Sequence, residues 1–297
     1  MSRRATFALP TKMRVATNTV GSMFDLYRTE LGALFGAAEA KAMVRIVFQE
    51  AFGWDAAQLD MHRSTALSES ELLKVYTPLT RLRTGEPLQY VLGHAWFMGM
   101  KLHVAPGVLI PRPETEEMVD LIQRRGRTFK RIVDIGTGSG CIALGLKRSF
   151  PGAEVIAMDV SAEALTIARR NGTEQALNID WQQCDVLSNE REFPRDLDLV
   201  VSNPPYVPRS EAGAMERHVL DHEPHVALFV DDADPLLFYR VIAQKARLAM
   251  VPGGEVWFEG HYRHSNAVGE MLLLQGYSKV EVLNDLSGSP RFIHAVR

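Results

Sequence analysis

Asn203, Pro204, Pro205 and Tyr206 stand directly after the apolar run Leu197, Leu199, Val200, Val201, and so at the carboxyl end of an expected strand. Open α/β sheets place their chemistry at those ends. Two successive prolines carry no backbone N–H, so the loop offers carbonyl oxygens without competing donors; Asn203 adds a side-chain acceptor and Tyr206 a flat ring. Such a set suits a planar NH2 group. A rigid proline turn at a strand end is the plainer alternative, and the tetrapeptide alone leaves both open.

A second set lies upstream: Asp134, Ile135, Gly136, Thr137, Gly138, Ser139 and Gly140 join an apolar strand to a helix. Alternating glycines let the backbone pass close under a ligand that a side chain would obstruct. Asp159 ends the following strand, where a carboxylate can accept both hydroxyls of a ribose. The spacing is G-x-G-x-G, shorter than the dinucleotide fingerprint G-x-G-x-x-G, and an acid precedes it. Both departures favour S-adenosylmethionine over NAD, because the ammonium of the methionine can use a carboxylate and no pyrophosphate needs a cradle. Asp185 ends a third strand and can accept from the adenine amino group while Val186 packs on the ring; a turn or helix-cap aspartate is the alternative. Asn203 borders this cofactor side as well.

The elements that must hold these residues alternate from Arg131 onward. Strands are expected at 132–135, 155–158, 197–201 and 256–259, and helices at 141–148, 162–171 and 235–250, with Asp234-Pro235 starting the last helix and Gly253-Gly254 ending it. Two closing strands lie between Tyr277 and Val296. The pattern is α/β, a doubly wound, mostly parallel sheet with an antiparallel closing strand. Residues 23–83 instead show helical spacing, with Ala40, Met43, Val44, Val47, Phe48 and Ala51 forming one apolar stripe. Asp55 with Gln58, and Ser68 with Glu71, have capping-box spacing, and Pro78 should kink or restart the last helix. The charged outer faces of this bundle can recognise a partner or simply support the fold. Phe97 to Val104 alternates around Gly99 as a hairpin. Ile110 to Glu116, stiffened by Pro111 and Pro113, either lines the ligand cleft or straps two domains together. The expected division is a basic arm over 1–22, a helical domain over 23–93, a hairpin linker over 94–111 and a catalytic domain over 112–297.

A chain of 297 residues with 46% hydrophobic content can bury the cores of two globular parts. Its formal charge of -3 argues against a strongly basic nucleic-acid binder. Cys141 and Cys184 fit no metal spacing and no disulfide framework, which points to a reducing cytoplasm. No apolar run approaches the roughly 18 residues of a membrane span. Arg3, Arg4, Lys12 and Arg14, with no acid before Asp25, suit a disordered basic tail, with an organellar presequence as the minor alternative. His218, His222, His225, His261 and His264 are expected as solvated histidines, since no acid or thiol completes a metal set by spacing. Phe97 is either core or a neighbour of the cofactor.

Taken together, D-I-G-T-G-S-G, the acid after the second strand and N-P-P-Y after the fourth resemble class I methyltransferases acting on planar nitrogens. Gly85-Glu86-Pro87-Leu88-Gln89-Tyr90 with Gly93, followed by Leu109 to Glu116, narrows the resemblance to the HemK/PrmC family, the peptide chain release factor glutamine methyltransferases. It covers nearly the whole chain after the first 20 or so residues. It implies that Gly136 to Gly140 and Asp159 hold S-adenosylmethionine, that Asp185 and Val186 flank its adenine, and that Asn203, Pro204, Pro205 and Tyr206 hold the substrate. The implied substrate is the glutamine of the Gly-Gly-Gln loop of release factors, methylated in translation termination by a cytoplasmic monomer that touches neither nucleic acid nor membrane. Glu259-Gly260-His261-Tyr262-Arg263-His264 and the basic arm depart from the family pattern. The competing functions are an adenine amino-group methyltransferase on DNA or RNA, a methyltransferase for a ribosomal-protein glutamine, and a cofactor-dependent assembly protein without turnover.

Overall fold

Helical spacing up to Leu82 and strand–helix alternation after Arg131 are both present in the computed structural model, which describes residues 17–189 and 192–297. The described chain forms two units, one ending at Leu92 and one running from Gly93 to Arg297. Arg3, Arg4, Lys12 and Arg14 of the expected basic arm lie outside the described residues.

The first unit contains α1 (Val20–Phe35), α2 (Ala37–Phe52), α3 (Ala56–Met61), α4 (Glu69–Leu82) and α5 (Leu88–Leu92). The α2 stripe is buried as expected, packed in one cluster with Phe24, Tyr27 and Leu31 of α1 and with Val75, Tyr76 and Leu79 of α4. Both capping boxes form, at Asp55 with Gln58 and at Ser68 with Glu71. Two expectations fail here. The first helix begins at Val20, ahead of the expected Met23, because Thr19 caps it and Val20 is fully buried. Pro78 does not restart α4, which runs through it. The carbonyl that loses its donor belongs to exposed Lys74, on the solvent side, while buried Leu72, Val75, Leu79 and Leu82 hold the helix on both sides.

The second unit opens with the antiparallel hairpin β1 (His94–Phe97) and β2 (Met100–His103). Met98 and Gly99 turn it with φ of 48° and 72°, the positive pair required by a two-residue turn. There follow α6 (Pro113–Arg124), β3 (Arg131–Ile135), α7 (Cys141–Ser149), β4 (Glu154–Asp159), α8 (Ala162–Glu174), β5 (Asp180–Gln183) and β6 (Leu197–Ser202). A short ribbon of β7 (Val207–Pro208) and β8 (Phe229–Val230) encloses a 3-10 turn at Arg209–Ala214, α9 (Arg217–His222) and α10 (His225–Leu228). The chain ends with α11 (Leu237–Ala249), β9 (Met250–Glu259), α12 (Ser265–Leu274), β10 (Ser278–Asn284) and β11 (Pro290–Val296).

Seven strands form one sheet in the order β10-β11-β9-β6-β3-β4-β5. Strands β5, β4, β3, β6 and β9 run parallel, and β11 closes antiparallel to β9 and β10. Successive side chains face opposite sides: Ile132, Leu199, Val201 and Trp257 join α6 and α7 in one apolar layer, and Val133, Ile135, Val200 and Phe258 join α11 and α12 in the other. Gly253 and Gly254 do not end α11, which stops at Ala249; they lie inside β9, where the missing Cβ of Gly254 leaves room for the Leu197 carbonyl, 3.0 Å from where it would sit. The expected strands and helices otherwise appear within a few residues, and α12 is an addition that the sequence patterns left unassigned. No described helix is long and apolar enough to cross a membrane.

Gly140 begins α7 at φ 84°, and a Cβ there would come within 2.9 Å of the Trp181 ring and 3.2 Å of Ala168. Gly140→Ala combines left-handed strain with overpacking, so urea unfolding should show a loss of about 2–4 kcal/mol; an unchanged midpoint would show that the ring moves aside at no cost.

Candidate functional site

The site grows from the carboxyl ends of β3, β4 and β6, where the chain, having laid β4 and β5 to one side of β3, returns to the other side. This switch point opens a crevice. The loop after β3 is pinned to β4: the N–H groups of Gly136 and Thr137 both donate to the Met158 carbonyl, at 2.8 and 3.0 Å, and Gly138 N–H donates to Asp159 Oδ2 at 2.8 Å. From below, Asp134 Oδ2 accepts from Thr137 Oγ1 at 2.6 Å and from Ala143 N–H at 3.1 Å, joining the loop to the first turn of α7. Asp134 is fully buried, and its Oδ1 has no hydrogen-bond partner among the described residues. Burial pushes its pKa up to about 7 despite the two bonds, and burial also raises that of Asp159.

A cavity of about 270 Å³ lies against this loop, lined by Gly136, Gly138, Asp159, Asp185, Val186, Asn203, Pro204 and Pro205 among others. No protein atom lies within 4 Å of where a Cβ on Gly138 would sit. Thr137, Ser139, Gly140 and Asp134 are not on its wall; they form the loop's underside, with Gly140 held by Trp181 rather than by open space. Asp185 is a turn aspartate in that its Oδ1 accepts Leu187 N–H at 2.8 Å, yet it also faces the cavity. Phe97 belongs to the core, packed beneath Gly145, and not to the cavity. The open glycine backbone and the acid at the end of β4 suit a ligand that carries a ribose, as S-adenosylmethionine does; Asp134, expected beside the ammonium, is instead fully buried off the cavity wall and shapes the loop from below.

A second cavity, of about 470 Å³, is lined by Leu109, Arg112, Asn203, Tyr206, Met215 and His218 among others. Asn203 borders both cavities. The proline-stiffened stretch therefore contributes to a cleft wall, fastened there by buried Glu223, which accepts from Ile110 N–H at 3.1 Å and from the Arg112 guanidinium at 2.5 Å. Beneath Asn203 its Nδ2 donates to Thr115 Oγ1 at 3.3 Å, Thr115 Oγ1 donates to Glu259 Oε2 at 2.6 Å, and the Tyr206 hydroxyl donates to Glu259 Oε1 at 3.2 Å. Burial raises the pKa of Glu259 and that of the Tyr206 phenol. Glu223 and Glu259 escaped sequence reasoning as site residues, and Thr115 entered it only as part of the stretch Ile110 to Glu116. Only the position of Glu259 at a strand's carboxyl end, the same signal that singled out Asn203, could have found one of them.

The histidine expectation needs correction on two points: His261 is buried rather than solvated, and an acid does complete a set in space. Ligand atoms of Glu211, His261 and His264 lie within 4.8 Å of one another. His261 Nδ1 accepts Arg263 N–H at 3.3 Å, which leaves the ring proton on Nε2, facing Glu211 Oε2 at 3.4 Å; Arg263 takes the other carboxylate oxygen at 3.1 Å. As placed, the group is a hydrogen-bonded ion-pair network.

A doubly wound sheet with a glycine loop, an acid after the second strand and N-P-P-Y after the fourth defines a class I methyltransferase. Its fold resembles that of a methyltransferase from Pyrococcus furiosus, with a TM-score of 0.50 and 20% identity over 73% of this chain and 96% of that one. The family profile "Methyltransferase small domain" matches residues 114–222, and "PrmC N-terminal domain" matches residues 30–93. Proteins named release factor glutamine methyltransferase match almost end to end: that of Bacteroides thetaiotaomicron is 41% identical over 91% of this chain and 97% of its own length. That of Flavobacterium psychrophilum is 34% identical over 90% and 96%. The chain belongs to the release factor glutamine methyltransferase family.

The buried Asp134 carries a pH signature. Its ordinary pKa of 3.8 rises to about 7 in the folded chain, so between those values the folded state holds a proton that the unfolded state has released. The contribution to stability is complete below about pH 4 and is lost as pH rises through 7. Asp134→Asn should therefore flatten the decline in unfolding free energy between pH 4 and 7, read by urea titration at each pH; parallel curves for variant and parent would refute the assignment.

Proposed function

We propose that the protein transfers a methyl group from S-adenosylmethionine to the side-chain amide nitrogen of the glutamine in the Gly-Gly-Gln motif of peptide chain release factors. Asn203 carries this reading: it borders both the cavity of the glycine loop and the cavity beside Tyr206, so one side chain can address both reactants. The names of the relatives support the same substrate.

Asp159 suits the ribose hydroxyls and Asp185 and Val186 the adenine, with Gly136 and Gly138 leaving the backbone open and Asp134, Thr137, Ser139 and Gly140 fixing the loop's shape. When bound, S-adenosylmethionine supplies a methyl carbon made electrophilic by its sulfonium. An amide nitrogen is a poor nucleophile because its lone pair is delocalised into the carbonyl. Asn203 Oδ1 and the Pro204 carbonyl each accept one amide hydrogen, which orients the nitrogen and draws electron density onto it. Pro205 has no N–H to compete for those acceptors, and the Tyr206 ring flanks the amide plane. Once methylated, the nitrogen is cationic and sheds one of its two original protons to water. Positioning of this kind can supply about 7–11 kcal/mol, enough to make alignment rather than a strong base the main contribution. In this reading the helical unit recognises the release factor, and the enzyme serves translation termination as a cytoplasmic monomer.

With labelled methyl donor, wild-type protein should label a release factor, leave DNA unlabelled and fail on a release factor whose Gly-Gly-Gln glutamine is replaced. Asn203→Ala should lower turnover by about 100-fold or more while calorimetry shows cofactor binding retained. Label on DNA or on a ribosomal protein instead, or full activity in the variant, would overturn the proposal.

A further inference from the structure

Beneath the N-P-P-Y loop, Thr115 and Glu259 touch neither cavity, and Glu259 lies at the centre of the hydrogen bonds there. It ends β9, is 1% exposed, and each of its oxygens receives one hydroxyl, Thr115 Oγ1–H on Oε2 and Tyr206 O–H on Oε1. A hydroxyl has one proton to give. Since Thr115 spends its proton on Glu259, its oxygen can only accept, and what it accepts is Asn203 Nδ2–H at 3.3 Å. An Asn amide carries its donor and its acceptor on opposite edges, so this bond leaves Oδ1 on the edge away from Thr115. With Glu259 ionised, the direction of every bond in the chain Asn203, Thr115, Glu259, Tyr206 thus follows from one carboxylate that accepts on both oxygens and donates on neither.

We propose that Glu259 is a positioning residue for methyl transfer: through Thr115 it fixes which edge of the Asn203 amide meets the substrate NH2, and directly it anchors the Tyr206 hydroxyl. The inference rests on the methyltransferase reading above and adds the device that sets the polarity of its clamp. The carboxylate is surrounded by groups from several elements. Thr115 of α6 and Tyr206 of the loop after β6 bond it, the Arg291 charge of β11 favours it and the Glu114 charge of α6 opposes it, while the Tyr239 hydroxyl of α11 holds the Glu259 backbone carbonyl at 3.1 Å. Nothing in this arrangement requires Glu259 to reach a reactant; it acts by removing a choice. With the amide reversed, Nδ2 would face the substrate NH2, donor against donor, and the nitrogen would lose one of its two acceptors.

Glu259→Gln is the discriminating variant, because it keeps shape while replacing one acceptor with a donor. If the new NH2 faces Thr115, the hydroxyl there turns its proton toward Asn203 and the amide must reverse; if it faces Tyr206, the phenol must turn its proton away and accept instead, which reverses that anchor. Either way kcat should fall about 100-fold with little change in KM for the release factor. Thr115→Val should fall comparably, Thr115→Ser should recover most of what Val loses, and the Glu259→Gln, Thr115→Val pair should lose no more than either alone, since the residues act as one unit. A second measurement needs no turnover. In the 15N-labelled full chain, the Asn203 side-chain NH2 should show a nuclear Overhauser contact to Thr115 that disappears in Glu259→Gln. Full kcat in Glu259→Gln, failure of Ser to rescue, additive losses, or absence of that contact in the wild type would overturn the inference. An inactive wild type that still shows the contact would overturn the substrate reading and leave the polarity device standing.

Discussion

The pairing of β6 alongside β3 is the constraint on which the rest of the site depends. Their parallel register sets Ser202 opposite Ile135, and Ser202 Oγ donates to the Ile135 carbonyl at 2.7 Å, so both strands end level. The next residues out are Gly136 on one and Asn203 on the other, and a Cβ on Gly136 would lie 4.0 Å from the Asn203 carbonyl. A slip of one residue would turn every side chain of β6 to the opposite face, exchanging Leu199 and Val201 with Val200 between the two apolar layers. The burial of those residues therefore fixes the position of the reactive loop, although none of them touches a cavity.

Around that junction lie three acids, Asp134 and Glu259 buried and Asp159 half-buried at the cavity, and each is held in a different way. Asp159 takes two backbone N–H groups, from Gly138 and from Ser161. Asp134 takes one hydroxyl and one backbone N–H on a single oxygen and leaves the other unpaired. Glu259 takes one hydroxyl on each oxygen. Desolvation raises all three pKa values, which is the expected cost of placing carboxylates where water is excluded. The acid left least satisfied is the one beneath the glycine loop, fully buried and off the cavity wall.

What the sequence revealed was local. Asp55 with Gln58, Ser68 with Glu71, and the prolines of the N-P-P-Y loop are separated by at most three residues, so spacing alone states their geometry. The same holds for the glycine loop, whose acid and glycines lie within one turn of chain. The contacts that close the site do not have this property: Thr115 meets Glu259 across 144 residues, and Ile110 meets Glu223 across 113. Such partners are chosen by the stacking of α6 and the 217–228 helices beside the sheet, which no short pattern encodes. Gly253-Gly254 misled for a related reason, since a glycine that ends a helix and one that admits a neighbouring backbone look alike until the neighbour, Leu197, is in place.

The two cavities also separate two questions that N-P-P-Y joins in sequence. The loop's chemistry selects an atom class, a nitrogen with two hydrogens on a flat group, and an adenine amino group satisfies it as well as a glutamine amide. What carries that nitrogen must be decided by the cavity on the far side of Asn203, whose walls include Arg112, Met215, Glu216 and His218, with Tyr206 the one large aromatic ring among the described residues of the lining. A flipped base is ordinarily gripped between aromatic or apolar faces, with cationic residues tracking its phosphates. Here the Arg112 charge is already committed to Glu223, and Glu216 adds an acid to the wall, so the lining offers a phosphate little and a peptide loop several polar contacts. On the proposed reading the loop accounts for methylation at nitrogen, and this neighbouring wall accounts for methylation of protein.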